Sequence, residues 1–253
     1  MIVDQTAQLA ETGYVVFKGL FDDATTTAAR RTVLSHIELF RNTRPNPSSG
    51  HLAGFHRYAT LEALHTLIAT QPDILALVRA VTDCPDIRTI GLSDITINRS
   101  QEWHVDLLRG KYRQHLSPDL CWGADGGGVY KVLWYLQPGR SLRVLPGAHL
   151  SPRPLEHDGS SEPADPGQAR QIVLDAGDMI LMDLRLPHRG SSEAELAGNE
   201  HQLTPKILVS TVLGAASKAM TRAMEVGNFE RLMDWDNRHQ AHRYDASLAG
   251  TMR

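Results

Sequence analysis

Cysteine is scarce in this chain, which has only Cys84 and Cys121 among its 253 residues. Two cysteines form neither a disulfide framework nor a thiolate zinc cluster, so the sequence indicates a cytosolic protein and not a disulfide-stapled one. An excess of positive charge is also absent, since 26 Lys and Arg stand against 29 Asp and Glu, for a formal net charge of −3 at pH 7. Without a basic field, the sequence predicts no binding to nucleic acid or to an anionic membrane.

Long hydrophobic runs are missing as well. Ile207–Val209, continued after two hydroxyl residues by Val212 and Leu213, falls far short of the ~20 residues that a membrane-spanning helix needs. The segment Met1–Asp4 reaches an acidic residue at once and lacks the basic and apolar regions of a secretory signal. These absences predict a soluble cytoplasmic protein and leave its oligomeric state open.

The first third of the sequence predicts one strand among helices. Gly13–Phe21 is a short aromatic and β-branched run that contains two glycines, which is typical of a strand. Asp22 and Asp23 can begin a helix, which the apolar spacing extends to Phe40. Further predicted elements are a surface loop at 42–54 and helices at 61–67 and 72–81.

From Ile87 onward, short β-type runs are separated by Gly and Pro, which predicts an antiparallel sandwich or barrel. The polar insertion Glu156–Gly167 is expected to be a solvent loop. Helical spacing returns from Ala215 to Trp235, with Gly227 as a potential breaker. The predicted strands are 95–97, 129–136, 142–145, 172–174, 179–184 and 207–213. At roughly 150 residues per domain, the whole chain, 1–253, is predicted to form a single domain.

Two histidines are followed two positions later by an acidic residue, a spacing that can supply a pair of metal ligands. His36 and Glu38 fall in the first long predicted helix, where residues two apart point roughly 200° away from each other, so we expect them to be structural. His104 and Asp106 follow a strand, on which residues two apart share a face. Their side chains can converge on one metal ion, or they can form an ordinary His–Asp hydrogen bond.

His188 is a candidate third ligand, because it follows the apolar strand at 179–184 that can carry an imidazole to the mouth of a barrel. Two neutral imidazoles and one carboxylate leave coordination positions open, which lets Fe(II) bind a cosubstrate and O₂ together. Taken alone, His188 is also compatible with a partly buried histidine at the end of a strand.

Four blocks of the sequence, in the same order along the chain, resemble the phytanoyl-CoA dioxygenase family. They are Gly13–Phe21, Trp103–Asp106, Leu142–His149 and Ala176–His188. The resemblance implies a mainly β fold with flanking helices around a double-stranded β-helix, the jelly-roll core of cupin-like proteins. It also implies that the protein uses Fe(II) and 2-oxoglutarate.

The same resemblance implies roles for individual residues. His104, Asp106 and His188 correspond to the catalytic metal ligands, and His149 corresponds to a structural residue. Halogenases of this family replace the metal-binding carboxylate with a small residue. Because Asp106 is present, the resemblance implies hydroxylation, desaturation or ring formation.

One family feature is absent. The family usually places an Arg shortly after its second metal-binding histidine, where it binds the distal carboxylate of 2-oxoglutarate, but Leu196–Glu200 contains neither Arg nor Lys. A buried carboxylate still needs a cation. Lys206, which opens the last strand as if a longer loop preceded it, is the first choice. The alternative cations are Arg189 and Lys131, and further cosubstrate contacts are implied for Ser191, Asn98 and Trp134.

Loop residues near the predicted site are candidates for the roof of a substrate pocket, although solvated loops have the same composition. Trp103, Trp122 and Trp235 are expected to pack and not to stack on a ligand. The candidates are Leu107, Arg109, Tyr112, His115, His51, His56 and Arg57.

Residues and resemblance together predict an Fe(II)- and 2-oxoglutarate-dependent dioxygenase that oxidises a small organic molecule, in the simplest case by hydroxylation, and converts 2-oxoglutarate and O₂ to succinate and CO₂. One alternative is a non-redox metal-dependent hydrolase or isomerase on the same barrel, for which two His and one Asp also suffice. The missing Arg favours it. The other alternative is a non-catalytic small-molecule binding protein, against which the intact set of ligands argues.

Overall fold

The computed structural model describes residues 2–42, 46–107, 110–152, 166–197 and 204–250, with side chains up to residue 238. Helices α1 to α7 span Ile2–Thr12, Asp23–Leu34, Glu62–Ala69, Pro72–Thr82, Pro118–Trp122, Glu193–Leu196 and Ala219–Gly250. Strands β1 to β10 span Tyr14–Phe17, Gly50–Ala53, Ile87–Thr89, Asp94–Ile97, Val129–Tyr135, Arg143–Val144, Arg170–Gln171, Met179–Asp183, His188–Arg189 and Ile207–Ala215.

The strands form two antiparallel sheets. The larger sheet has the order β1-β8-β5-β10-β4-β2, with β3 also paired to β10, and the smaller sheet has the order β7-β6-β9. The sequence places neighbours of each sheet far apart along the chain, so nearly every pairing joins distant segments. This is the mainly β, double-stranded β-helix with flanking helices that the sequence predicts.

Alternation along the strands divides the larger sheet into two faces, because successive side chains of a strand point to opposite sides. On one face, Trp134 packs in a core that also holds Leu9, Val33, Leu64 and Ile74 of helices α1 to α4. On the other face, apolar side chains meet those of the smaller sheet, and these are Leu133, Tyr135, Ile180, Leu142 and Val144. Polar residues that alternate in step with these apolar side chains along the same strands therefore point into the space between the two sheets.

The first long helix is shorter than the sequence predicts. Helix α2 ends at Leu34, and Ile37–Leu39 forms a separate 3₁₀ turn, so the prediction of a helix reaching Phe40 is wrong. The hydroxyl of Ser35 donates to the carbonyl of Thr32, which competes with continuation of the helical hydrogen bonds. His36 and Glu38 therefore lie beyond the helix.

Part of the predicted surface loop at 42–54 is a strand. Residues Gly50–Ala53 form β2, which pairs with β4 at the edge of the larger sheet, with Leu52 opposite Ile95. The sequence did not predict this short strand, because the preceding residues are rich in Pro and Ser and indicate a loop. Helix α1 was also not predicted.

The C-terminal helix α7 continues through Gly227, which the sequence suggested as a breaker. A side chain at this position would meet the ring of Tyr112, so the glycine allows a close approach of two segments. Only 166–167 of the predicted loop Glu156–Gly167 lie within the described residues. No helix in the described part of the chain is both long and apolar enough to cross a bilayer.

Replacing Gly177 with Ala is expected to destabilise the protein by about 3 kcal/mol. Gly177 has φ +88°, and a Cβ there would overlap the carbonyl oxygen of Phe21. The control is Gly19→Ala, because Gly19 has φ +56° and no atom within 4 Å of a built Cβ, so only about 1 kcal/mol is expected there. Urea unfolding measures both changes, and equal losses would contradict the explanation.

Candidate metal centre and adjoining cavity

Two histidines are fixed opposite each other by an isolated antiparallel bridge. The amide of His104 donates to the carbonyl of His188 at 3.0 Å, and the amide of His188 donates to the carbonyl of His104 at 2.9 Å. Directly opposed residues of such a pair project their side chains to the same face. The two imidazole rings accordingly lie 4.3 Å apart between centroids.

Asp106 completes the group. His104 Nε2 lies 3.6 Å from Asp106 Oδ1, and His188 Nε2 lies 3.8 Å from Asp106 Oδ2. One ligand atom from each of the three residues falls within 4.8 Å of the other two, and all three residues are buried. The predicted convergence of His104, Asp106 and His188, here called the triad, is therefore present in the fold.

Both imidazoles of the triad present the nitrogen that a metal would need. The Nδ1 atoms face the backbone carbonyls of Glu102 at 2.6 Å and Leu186 at 2.9 Å. A carbonyl can only accept, so each Nδ1 carries a proton, and in the neutral ring Nε2 is then the nitrogen with the lone pair. Burial lowers the pKa of His188 to about 3, and the neighbouring His104 adds to this effect. His188 is thus neutral at physiological pH, as a metal ligand must be.

Lys131 contacts the carboxylate of the triad. Its Nζ lies 2.6 Å from Asp106 Oδ2, and both side chains are largely buried. Lys131 is in register with Leu133 and Tyr135 on the inner face of β5, which explains how it reaches the triad. The structure therefore places Lys131, a predicted alternative for the cosubstrate, against Asp106, a predicted metal ligand.

Lys206 lies in a different, more buried position. Its Nζ donates to the hydroxyls of Ser141 and Ser191, each at 2.8 Å, and no carboxylate of the described residues is within ion-pair distance of it. Desolvation lowers the pKa of Lys206 from 10.5 to about 8. A buried ammonium held only by hydroxyls is a ready partner for an anion.

Asn98 fixes the start of the strand that carries Lys206. The side-chain oxygen of Asn98 accepts from the backbone amide of Lys206 at 2.7 Å, and the backbone amide of Asn98 donates to the backbone carbonyl of Lys206 at 2.8 Å. Asn98 adopts φ +45°, in the left-handed region that Asn tolerates better than most residues. It holds the backbone beside Lys206, whereas Ser191 contacts the ammonium itself.

Two other predicted cosubstrate residues are placed less favourably. Arg189 faces Glu195, with its guanidinium nitrogens 3.3 and 3.4 Å from the carboxylate. Trp134 lies on the face of β5 opposite to Lys131 and packs against Phe21 with ring centroids 4.3 Å apart. The strand of Trp134 does line the interior, but alternation directs this side chain into the helical layer, on the opposite face of the sheet from Lys131.

A cavity of about 610 Å³ opens beside the triad and is here called the central cavity. A narrow recess continues it towards Leu142, His188, Gly190 and Leu208. Leu142 and Gly190 are the chain neighbours of Ser141 and Ser191, which contact Lys206. The charged and histidine side chains that line the central cavity are His51, Asp94, Arg99, Asp106, Lys111, Lys131, Arg231, Asp234 and Arg238. A volume of this size is typical of small-molecule sites.

Asp94 is a site residue that the sequence analysis missed. It accepts from His51 Nε2 at 3.1 Å and from Arg231 of α7, and its Oδ1 is buried with no hydrogen-bond partner among the described residues. Burial alone would raise its pKa, but the charge of Arg231 and the hydrogen bond of His51 hold the pKa of Asp94 well below its usual range. The alternation of Ile95 and Ile97 in β4 was the available signal, since it puts Asp94 on the inner face.

The residues predicted to roof a substrate pocket lie in different parts of the structure. His51 and Tyr112 line the central cavity, whereas Leu107 is buried in an apolar cluster. His115 pairs with Glu230. Arg57 pairs with Asp236, and the ring of His56 lies against that of His65 at a tilt. Arg109 lies outside the described residues.

The aromatic and histidine residues predicted to be structural are placed as packing groups. Trp103 is buried in an apolar cluster, and Trp235 packs with Ala53 and Leu232. The indole of Trp122 donates to the carbonyl of His149 at 3.0 Å. His149 in turn lies 3.2 Å from the carbonyl of Ala10 through Nε2, away from the triad.

Replacing Asp106 or His188 with Ala is expected to weaken Fe(II) binding by more than roughly 100-fold, because each change removes a ligand and not merely an outer partner. Anaerobic titration with Fe(II) measures the affinity, and circular dichroism checks that the variants fold. The matched control is Glu38→Gln, because Glu38 and His36 form the other histidine–acid pair of the sequence. This variant should bind Fe(II) as tightly as the wild type. If either Ala variant bound Fe(II) as tightly as the wild type, the triad would not be the metal site.

Replacing Lys206 with Met is expected to stabilise the protein by about 2–3 kcal/mol at pH 7. The folded state holds the Lys206 proton more weakly than the unfolded state, so wild-type stability rises with pH between about 8 and 10.5, and the advantage of Met fades over the same range. The serine hydroxyls stay paired with each other at 2.8 Å. Urea unfolding from pH 7 to 10.5 measures this, with Lys111→Met as the rim control, where a change well under 1 kcal/mol is expected.

No protein-family model and no curated protein matches the chain. Solved structures do match it. The non-heme alpha-ketoglutarate-dependent epimerase SnoN from nogalamycin biosynthesis has a TM-score of 0.62 and 18% identity, over 85% of this chain and 83% of that chain. The carbocyclase SnoK from the same biosynthesis has a TM-score of 0.60 and 14% identity, over 84% and 83% of the chains.

EvdO2 from Micromonospora carbonacea var. aurantiaca, complexed with 2-oxoglutarate, has a TM-score of 0.57 and 14% identity, over 84% of this chain and 90% of that chain. At these identities the similarity shows the fold. It confirms the double-stranded β-helix core that the sequence predicts.

Proposed function

We propose that this protein is an Fe(II)- and 2-oxoglutarate-dependent dioxygenase that hydroxylates a C–H bond of a small organic molecule. The observation that carries the proposal is the triad itself: two imidazoles and one carboxylate converge, buried, beside a large cavity. This donor set is the one that non-haem iron oxygenases use, because it leaves positions for cosubstrate and O₂. The similar structures support the proposal, since SnoN has been solved with Fe3+ and alpha ketoglutarate.

The residues present fit an Fe(II) ion. His104 and His188 offer Nε2, and the carbonyls of Glu102 and Leu186 keep each ring in the required tautomer and orientation. Lys131 holds the carboxylate of Asp106, which restricts its rotation. When bound, iron supplies the redox chemistry: 2-oxoglutarate and O₂ become succinate and CO₂ while one oxygen atom enters the C–H bond of the substrate.

Lys206 is the residue that we assign to the distal carboxylate of 2-oxoglutarate. Its ammonium and the adjoining Ser191 hydroxyl form a buried donor cluster, whereas Arg189 and Lys131 face Glu195 and Asp106. A charge-assisted hydrogen bond to a carboxylate would restore the solvation that burial removes from Lys206. The position also accounts for the absence of Arg or Lys in Leu196–Glu200.

Epimerisation and ring formation are two further reactions compatible with iron and 2-oxoglutarate. SnoN is described as an epimerase and SnoK as a carbocyclase, so the fold serves outcomes other than hydroxylation. A non-redox hydrolase or isomerase using Zn²⁺ is the alternative function, because the triad also suits that ion. The test must therefore separate cosubstrate binding from metal binding.

Replacing Lys206 with Met is expected to weaken 2-oxoglutarate binding by roughly 30- to 150-fold, which corresponds to the loss of about 2–3 kcal/mol from a charge-assisted hydrogen bond. Fe(II) affinity should barely change. The readout is the charge-transfer absorption that develops when 2-oxoglutarate chelates the iron, titrated without O₂.

Arg189→Met and Lys131→Met are the matched comparisons in this titration. If Lys206→Met titrates like the wild type while one of these variants does not, the cosubstrate anchor lies at that position. If the wild type develops no such absorption and forms no succinate from 2-oxoglutarate, the oxygenase proposal fails and the Zn²⁺ alternative takes its place.

A further inference from the structure

Two side chains of the central cavity keep hydrogen-bond acceptors that the fold does not use. His51 of β2 and Asp94 of β4 lie diagonally across an antiparallel pair of strands, since His51 is opposite Thr96 and Asp94 is opposite Ala53. Side chains in this relation share a face of the sheet and can reach each other. His51 Nε2 accordingly lies 3.1 Å from Asp94 Oδ2, and both residues line the cavity.

The open acceptor of His51 is Nδ1. Burial would raise the pKa of Asp94, but the charge of Arg231 keeps this pKa well below its usual range, so Asp94 is ionised and can only accept. His51 Nε2 therefore carries a proton. Burial lowers the pKa of His51 by more than Asp94 raises it, so the ring is neutral at physiological pH and its lone pair is on Nδ1. No described residue forms a hydrogen bond with that atom.

Asp94 keeps a second open acceptor and Ser210 a third. Asp94 Oδ1 has no hydrogen-bond partner among the described residues, whereas His51 and Arg231 both donate to Oδ2. Ser210 lies opposite Asp94 in β10 and donates its hydroxyl proton to the backbone carbonyl of Asp94, which leaves the lone pairs of the hydroxyl oxygen. A buried acceptor without a partner costs free energy, so hydrogen-bond donors of a ligand are favoured at this wall.

These acceptors border the same space as the triad. Asp94 and Ser210 line both the central cavity and the recess that continues it. Asp106 lines the cavity, and His188 lines the recess. A ligand whose carbon skeleton faces the triad can therefore place its polar groups against His51 and Asp94.

The wall of the central cavity is polar for a small-molecule site. Leu92 is the only aliphatic side chain among the described residues that line it, whereas such sites are lined predominantly by hydrophobic and aromatic side chains. Gln101 and Lys131 add donors to the acceptors of this wall. A hydroxyl group matches the mixture, because it both donates and accepts, whereas an ammonium only donates. Arg231 already compensates the charge of Asp94, so the open oxygen needs a donor and not a cation.

We propose that the substrate is an uncharged polyhydroxylated molecule, which donates hydroxyl hydrogen bonds to His51 Nδ1 and Asp94 Oδ1 and turns a C–H bond towards the triad. This inference rests on the proposed function and names its substrate class. Asp94 and Trp235 hold the ring of His51 in place, the two rings lying edge to face with centroids 5.0 Å apart. A molecule without hydroxyl donors leaves the buried acceptors unpaired, which is how such a site rejects it.

The experiment compares ring polyols with a matched ring that lacks most of their hydroxyls. The polyols are 1,5-anhydro-D-glucitol and its mannitol and galactitol epimers, and the matched ring is tetrahydropyran-2-methanol, which has the same carbon skeleton and a single hydroxyl. Saturation-transfer NMR titrations give each Kd for the protein loaded with Zn(II) and 2-oxoglutarate, and for the metal-free protein. Loading with Mn(II) instead broadens the proton signals of a polyol bound near the metal, because unpaired electrons relax nearby nuclei.

The variant His51→Gln separates a contact with the ligand from a structural role. The Gln amide can still donate to Asp94 as Nε2 does, but Gln has no acceptor at the position of Nδ1. The control is His115→Gln, because His115 pairs with Glu230 and does not line the cavity. Circular dichroism checks the fold of both variants, and the comparison of polyols with the matched ring needs only the wild type.

The tightest polyol is expected to bind at least about fivefold more tightly than tetrahydropyran-2-methanol, and His51→Gln should raise its Kd about fivefold, the effect of one lost neutral hydrogen bond. His115→Gln should change no Kd, and Mn(II) should broaden the polyol signals. Three results overturn the proposal: no polyol binds more tightly than the matched ring, His51→Gln binds the tightest polyol like the wild type, or Mn(II) leaves the polyol signals sharp in a protein that has loaded.

Failure of the proposed function gives a different result. Calorimetric titration of Mn(II) and 2-oxoglutarate on the same samples shows whether the site loads. A protein that loads but does not prefer the polyols retains the function and loses the substrate class. A protein that does not load, yet prefers the polyols in a His51-dependent way when metal-free, keeps the polyol site and loses the oxygenase assignment.

Discussion

The backbone bridge between His104 and His188 is the constraint on which the site depends. Two reciprocal hydrogen bonds join segments that are 84 positions apart in sequence and put both imidazoles on one side of the pair. Asp106, two residues along, then reaches the same space because side chains of an extended segment alternate. Without the bridge the three side chains of the triad would belong to loops with no fixed distance between them, and loop closure entropy would oppose their meeting.

Buried charge is the second organising feature, because a charged group that suits a ligand lowers the stability of the fold while it lacks a partner. The ammonium of Lys206 is desolvated and held only by hydroxyls, which favours an incoming carboxylate but costs folding free energy. Asp94 illustrates the other solution, since Arg231 and His51 supply it with partners inside the protein. The contrast separates a buried charge that lacks an ionic partner among the described residues from one that the fold itself compensates, apart from the single open oxygen of Asp94.

Helix α7 makes the cavity deeper than the barrel alone would. Arg231, Asp234 and Arg238 lie at successive turns of one helix and all line the cavity, because residues three and four apart share a helical face. Gly227 lets the same helix approach the ring of Tyr112 closely. The helix therefore contributes much of the charged wall, a role that apolar periodicity in the sequence did not indicate.

The sequence by itself determined the features that depend on local order: the strand–helix plan, the alternation of the main strands and the spacing of His104 and Asp106. It also carried the resemblance that pointed to His188 and to the double-stranded β-helix. Local patterns misjudged the end of α2, where Ser35 bonds back to Thr32, and missed strand β2, whose pairing at the sheet edge depends on the distant β4. The packing of Trp134 against Phe21 likewise joins distant segments. Only the tertiary structure decided that His188 meets His104 and Asp106, that Lys131 binds Asp106, that Lys206 is buried between serines and that Asp94 faces the cavity, because each of these contacts joins segments far apart in the chain.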